Sequence, residues 1–165
     1  MIKLRFILVN GLVAALYTVL TIGLAPMSYG PVQVRISEFM TLLAFVNKKY
    51  VPGLVIGCLL ANLGSPFGIT DMAVGTLATF LAVYPMQYCK NLFWASLLPV
   101  IANGIIIGLE LYYLAALPAN VPLWSAMAYV AAGEFLSVTV LGVVIMKVLL
   151  KNDKLRHYLE IELLE

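Results

Sequence analysis

The sequence predicts an all-α integral membrane protein, a six-helix transmembrane bundle with both termini on the cytoplasmic side. Three observations carry that expectation. The 165 residues are 63% hydrophobic and 11% charged, with a mean hydropathy of +1.02, whereas soluble domains hold roughly 25% charged and about 45–50% apolar residues. Apolar stretches alternate with short clusters of Pro, Gly, Asn and Lys that end helices. Finally, nine of the ten basic residues fall on one side of the bilayer when six crossings are drawn. Such a composition excludes soluble enzymes, disordered chains and nucleic-acid binders. Because one crossing takes about 20 helical residues, the length leaves room for about six spans in a single integral membrane domain, 1–165, with no soluble domain.

The first helix is expected over about 6–25. Lys3 and Arg5 precede it, but the apolar run is longer than a signal-peptide core and carries no small-x-small cleavage site, so it reads as a span. A break over 26–31 follows. Helices two and three, about 35–47 and 50–63, are short and are kept apart by Lys48-Lys49 and Pro52. They are expected to cross only partly, or through a locally thinned or protein-lined region. After breaks over 62–70 and 85–91, helices four and five are expected over about 71–87 and 92–116. Helix six covers about 122–150, beyond the Pro-containing break at 118–122. The charged, leucine-interleaved tail, 151–165, reads as the frayed end of helix six resting at the cytoplasmic interface. With the N-terminus inside, Lys3, Arg5, Lys48, Lys49, Lys90, Lys147, Lys151, Lys154 and Arg156 are cytoplasmic and Arg35 alone is outside; an odd number of spans would throw the C-terminal cluster to the wrong face.

Ionisable residues inside spans are costly and face a bundle interior or a water-filled cavity, which makes them functional candidates. Glu38 and Asp71 open helices two and four, Glu110 lies about two turns below the outer end of helix five, and Glu134 lies in the outer half of helix six. Four acids and Arg35 give a formal charge of −3 (−4 + 1) in the outer half. That distribution predicts a pocket open to the outside, suited to a ligand with hydrogen-bond donors or positive charge. Gln33, Asn62, Asn103 and Asn120 add polar groups on that side, and Tyr29, Tyr112, Tyr113, Trp124 and Tyr129 offer flat surfaces for a ring. Simpler readings stand beside these. Arg35 and Glu38 at i, i+3 also fit a local ion pair, Asp71 fits a helix cap or first-turn acid, and interfacial Tyr and Trp are common in membrane proteins. No basic residue stands near enough in sequence to neutralise Glu110 or Glu134.

Small residues recur at four-residue spacing, as in Gly53 with Gly57, Ala78 with Ala82 and Gly104 with Gly108, and serve close helix packing in lipid. Helix one carries two overlapping pairs, Gly11 with Ala15 and Ala14 with Thr18, so one of its faces is a candidate for contact with another membrane protein. Cys58 and Cys89 have no metal-type spacing and read as packing residues. The one histidine, His157, lies in the tail, which leaves no Ser-His dyad, histidine metal site or histidine proton relay in the membrane. No cofactor is expected. A Walker A sequence is absent, so ATP-driven transport would draw on partner subunits, and no internal repeat of the kind that builds secondary transporters is evident.

The segment Tyr29-Gly30-Pro31-Val32-Gln33-Val34-Arg35-Ile36-Ser37-Glu38 resembles the queuosine-precursor transporter (QueT) family, a group of substrate-binding S components of energy-coupling factor (ECF) transporters. The likeness extends to Ala14-Ala15-Leu16-Tyr17-Thr18-Val19-Leu20-Thr21 with Leu24-Ala25-Pro26, to Asn62-Leu63-Gly64-Ser65-Pro66-Phe67-Gly68, and to Asp71 with Gly75-Thr76-Leu77-Ala78-Thr79. It spans helices one to four. The resemblance implies a six-helix S component in a bacterial plasma membrane. Its ligand would sit near the outer face, under the loops joining helices one to two, three to four and five to six. It also implies two kinds of partner, a transmembrane coupling subunit and two cytoplasmic ATPases. The implied cargo is a 7-deazaguanine such as preQ1 or queuine. The superfamily's Ala-x-x-x-Ala coupling motif on helix one falls here on Gly11 and Ala15 or on Ala14 and Thr18.

The residues accommodate that cargo. A carboxylate can accept from the N1 proton and 2-amino group of a deazaguanine in a two-point contact, a role expected of Glu110 or Glu134. A cationic aminomethyl group would take Glu38 or Asp71, Gln33 and Asn103 could read the 6-oxo group, and Trp124, Tyr29 or Tyr113 could stack on the ring. Acids and aromatics would equally serve an S component for thiamine or a pterin. A structural subunit resembling the small MreD-type cell-shape proteins is a further alternative, against which four acids on one side argue. An intramembrane enzyme lacks its nucleophile and base.

Overall fold

The structure, a computed structural model, describes residues 4–30, 32–114, 118 and 120–161. Lys3, Pro31, the expected end of helix five at 116, most of the loop joining helices five and six, and the tail beyond 161 lie outside the described residues. All regular structure among the described residues is helical. The principal elements are α1 (Leu4–Gly23), α2 (Ile36–Val46), α3 (Val51–Asn62), α4 (Ile69–Tyr88), α5 (Leu92–Tyr113), α6 (Leu123–Lys151) and α7 (Asp153–Ile161). Four of them, α1, α4, α5 and α6, are long and apolar enough to cross a bilayer. α2 and α3 are shorter apolar helices, α3 having 12 residues.

Local chemistry explains the boundaries. Pro26 lies in the first turn of a short helix, Ala25–Ser28, that follows α1. The Asn47 side chain accepts from the Lys49 N–H at 3.0 Å, turning the chain between α2 and α3, and Pro52 occupies the first turn of α3. Asn91 caps α5 by accepting from the Trp94 N–H at 3.0 Å. Apart from the 3-10 stretch that ends α4 at Tyr84–Tyr88, two departures from regular α geometry were not legible in the apolar pattern. α2 begins as a 3-10 helix over Ile36–Leu42, and α6 passes through a π-helical stretch over Phe135–Gly142. These two stretches pack on each other: a Cβ on Gly142 would lie 3.1 Å from a Leu42 methyl and 3.2 Å from the Phe39 Cα.

Lipid tails are as apolar as leucine, so helices in a bilayer associate through close packing and interhelical hydrogen bonds. Gly53 and Gly57 on α3 let α1 approach until their absent Cβ atoms would lie 2.7 Å from Asn10 Oδ1 and 2.9 Å from Tyr17 Cβ. Asn10 locks this contact, accepting from the Gly53 N–H at 2.7 Å and donating to the carbonyls of Phe6 and Lys49, each at 3.0 Å. On the other side of the bundle, Gly108 brings α5 against the Met127 backbone of α6, and Gly104 meets Ala131. A core of Tyr17, Leu42, Leu54, Cys58, Met86 and Met146 joins the helices.

The tail is not a frayed continuation of helix six. Asn152 leaves the helical conformation and its side chain accepts from the Lys154 and Leu155 N–H groups, so α7 starts as a separate capped helix. It folds back on the bundle, where the Tyr50 hydroxyl donates to the Leu159 carbonyl at 3.4 Å and Leu159 packs against the core.

Candidate functional site

At the end of the bundle opposite Lys48, Lys49 and α7, the structure buries an unusual group of polar side chains. Glu38, Asp71, Glu110 and Glu134 come from α2, α4, α5 and α6, and all four are buried, as are Gln33, Arg35, Asn62 and Asn103. The Arg35 guanidinium is the common element: its charge interacts with all four carboxylates. The acids scattered between Glu38 and Glu134 in the sequence therefore share one electrostatic neighbourhood.

Each acid is held differently. Glu38 accepts from the Tyr17 hydroxyl of α1, beside a second bridge in which the Thr21 and Ser37 hydroxyls lie 2.6 Å apart. Asp71 faces Arg35 with an Nη2–Oδ2 separation of 3.6 Å, an ionic contact too long for a hydrogen bond. Glu134 accepts from the Asn103 amide at 2.8 Å. Glu110 has no hydrogen-bond partner on either oxygen. The i, i+3 pairing of Arg35 with Glu38 is not what forms: Arg35 turns to Asp71 and donates through Nε to the Ser28 carbonyl at 3.2 Å. Asp71 does not cap α4, whose N-cap is Gly68 at a φ of +64°, but it does stand as an acid in that helix's first turn.

The connection between α1 and α2 forms one wall. Tyr29 donates to the Ala61 carbonyl at 2.5 Å, and its ring lies 5.5 Å from the Arg35 guanidinium, a cation–π contact. Burial pushes the Tyr29 phenol up from its ordinary pKa, with Arg35 opposing, so the group stays a neutral donor. Gln33 adopts a φ of +46°, in the left-handed region that few side chains occupy. The backbone of 32–33 lies directly on α6, where a Cβ on Gly133 would overlap the Val32 carbonyl oxygen and lie 2.8 Å from that of Gln33. A similar accommodation holds Asp71: Gly75 leaves room for Asn62, which donates to the Asp71 carbonyl at 3.0 Å.

Several expected residues stand apart. Tyr113 and Trp124 are 76% and 72% exposed, Tyr112 and Tyr129 are also exposed, and Asn120 is at the surface. Tyr29 alone of the candidate stacking residues contacts the buried group. On α1 the two small pairs separate. Ala14 is buried against Gly57, and Thr18 donates to the Ala14 and Gly57 carbonyls at 2.8 and 3.1 Å. Gly11 and Ala15 are exposed, with nothing within 4 Å of a Cβ on Gly11.

Sequence reasoning missed Tyr17, Gly133 and Asn10. The signal for the first and last was present, since Asn10, Ala14, Tyr17 and Thr21 recur at three- and four-residue intervals along one buried face of α1. Gly133 gave no such signal, because its role depends on a loop a hundred residues away.

The chemical character of the site lies in its unpaired atoms. Glu38 Oε2, both oxygens of Asp71 and Glu110, Glu134 Oε2 and Asn62 Oδ1 are buried acceptors without a hydrogen-bonded partner, against the donors Gln33 Nε2 and Arg35 Nη2 and the hydroxyls of Ser28, Thr76 and Ser137, which can donate or accept. An unsatisfied buried polar group costs about 1–3 kcal/mol. The arrangement thus suits a ligand richer in N–H donors than in acceptors. Among the described residues no group of three or more His, Cys, Asp or Glu is placed to hold a metal ion.

Comparison with known proteins agrees with a membrane transport protein. Over 90 residues the chain is 42% identical to the queuosine precursor transporter QueT of Lactococcus lactis subsp. cremoris (strain MG1363), a match covering 50% of this chain and 53% of that protein. The chain therefore spans about half the length of this curated relative in the match. No solved structure matches. Residues 7–151 match the QueT transporter family, and with its multi-pass apolar helices the chain belongs to that family.

Proposed function

We propose that the protein is the membrane-embedded S component of an ECF-type importer, binding a queuosine precursor of the 7-deazaguanine type from outside the cell. In this reading the six helices α1–α6 form one membrane domain with both termini in the cytosol, α2 and α3 crossing where the bundle is thin. It performs transport without catalysing a reaction of its own, and ATP hydrolysis belongs to two partner ATPases joined through a coupling subunit. The single observation that carries the reading is the excess of unpaired, buried acceptors at one end of the bundle. A 7-deazaguanine presents the matching face: N1–H, a 2-amino group and the pyrrole N–H as donors, with the 6-oxo group as an acceptor for Gln33 or Arg35.

Glu134 and Glu38 are each fixed by one protein donor and keep one oxygen free, which suits them to the directional edge of a planar base. Tyr29 supplies the ring surface. On the opposite side of α1 the exposed Gly11 and Ala15, set among the exposed Leu8, Leu12 and Leu16, form a smooth stripe for the coupling subunit, whereas Ala14 and Thr18 are occupied internally.

The test is equilibrium binding of purified protein to a panel of deazapurines, thiamine, folates and riboflavin, paired with thermal unfolding. Nanomolar binding of a deazaguanine with a matching rise in melting temperature is the expected result. Tight binding only of thiamine or a pterin would reassign the cargo, and binding of none would leave a structural role. Glu134→Gln should cost far more affinity than Lys48→Gln, and equal binding by the two variants would remove Glu134 from the site.

A further inference from the structure

We infer that Glu110 is the counter-ion for a positively charged substituent on the ligand, and hence the residue that makes the site select a cationic base over its uncharged isostere. The inference rests on the deazaguanine reading above and reverses the sequence-based expectation, which gave the amine to Glu38 or Asp71.

Three observations lead to it. First, the other acids have protein partners: Tyr17 for Glu38, Asn103 for Glu134 and Arg35 for Asp71. Glu110 is 7% exposed and both its oxygens are buried without a hydrogen-bonded partner. A buried carboxylate in that condition must gain a charge-bearing donor or give up its charge. Second, the local charge does not balance. Asp71 and Arg35 are the charged side chains that act on Glu110, and the one positive charge of Arg35 lies in ionic contact with Asp71 and is shared with Glu38 and Glu134. Glu110 interacts with both members of that pair, repelled by Asp71 and attracted by Arg35. A neutral hydrogen-bonding edge would satisfy the Glu110 oxygens but leave the excess negative charge, whereas a cation addresses both.

Third, the mobility of each carboxylate fits a different task. A planar N–H edge is directional and calls for a carboxylate whose plane is fixed, as Asn103 fixes Glu134 and Tyr17 fixes Glu38. An ammonium carries three donors on a rotating carbon and accepts a carboxylate of any orientation. Glu110, tethered to nothing, meets only the second requirement. A primary or secondary ammonium attached to the ring by one methylene is the chemical class that this residue would recognise.

The experiment compares 7-aminomethyl-7-deazaguanine, its 7-cyano counterpart and guanine by calorimetry, using the full chain in lipid nanodiscs. The unaltered protein should prefer the aminomethyl compound over the cyano compound by about 100-fold or more, the scale set by removing one partner of a buried charged contact. Glu110→Gln should erase most of that preference by weakening the aminomethyl compound while leaving the cyano compound within a few-fold. Equal affinity of the unaltered protein for both compounds would overturn the inference without touching the deazaguanine reading, and this comparison needs no variant to fold. Equal losses for both ligands in Glu110→Gln would also overturn it, by moving Glu110 to the guanine edge. Failure of the unaltered protein to bind any of the three, in a preparation that unfolds cooperatively, would overturn the deazaguanine reading and the inference with it.

Discussion

Arg35, immediately before α2, and Asp71 in the first turn of α4 face each other across 3.6 Å, both at most 4% exposed. Removing one member of such a pair strands a buried charge, which costs about 3–5 kcal/mol, whereas replacing both can be close to neutral. Arg35→Gln should therefore destabilise strongly, and more than its partner's loss, because Glu38, Glu110 and Glu134 also lose their nearby cation. Asp71→Asn should fall at the lower end of the range. The double variant should be less destabilised than the sum of the two. Thermal unfolding in detergent measures all three, and strict additivity would mean that the pair is not coupled.

Tyr17→Phe should cost about 1–3 kcal/mol, because it leaves a Glu38 oxygen buried without its donor while changing almost no volume. The same change at the surface Tyr113, 76% exposed, should have no measurable effect on unfolding. Parallel melting curves for the two variants would show that the Tyr17–Glu38 bond contributes nothing.

Much of this arrangement was written in the sequence as pattern rather than as partnership. The acids were conspicuous because a charge in an apolar helix is rare and expensive, and counting helices leads only to the expectation that they sit in the outer half of the bundle. Which donor meets which acid was hidden, because pairing depends on helix rotation. α2 winds as a 3-10 helix just where Glu38 sits, and α6 switches to π geometry one residue after Glu134. Side-chain positions in such stretches do not follow the 3.6-residue period from which a face is read. The i, i+3 reading of Arg35 and Glu38 failed because Arg35 stands just before the helix in an extended conformation, so the two do not share a helix face. Ring chemistry makes Trp124 and Tyr113 candidates for stacking but says nothing of direction, and both face outward.

Gly133→Ala should destabilise by about 1–3 kcal/mol and weaken ligand binding, since a methyl there overlaps the backbone of 32–33 and must push Gln33 and the adjoining Arg35 away from α6. Gly68→Ala should also destabilise, through backbone strain alone, as Gly68 has a φ of +64° with open space around it. The two should differ in the ligand readout. Binding calorimetry that finds Gly133→Ala as competent as the unaltered protein would mean that the 32–33 segment does not shape the site.

The two small pairs of α1 lead to opposite expectations for substitutions three residues apart. Gly11 has nothing within 4 Å of its Cβ position, so Gly11→Leu fits the isolated protein and should leave its melting temperature and its ligand affinity unchanged. Ala14 lies against Gly57, whose own Cβ position is 3.1 Å from the Ala14 Cα, so Ala14→Leu must force α1 off α3 and should destabilise by more than about 1–3 kcal/mol. If the Gly11–Ala15 stripe meets the coupling subunit, a leucine at 11 blocks close helix approach there. Co-purification with coexpressed coupling subunit and ATPases should then fail for Gly11→Leu while the variant still binds ligand alone. A variant that assembles normally would place the contact on another face of the bundle. Loss of assembly with lost ligand binding would instead indicate that position 11 supports the fold.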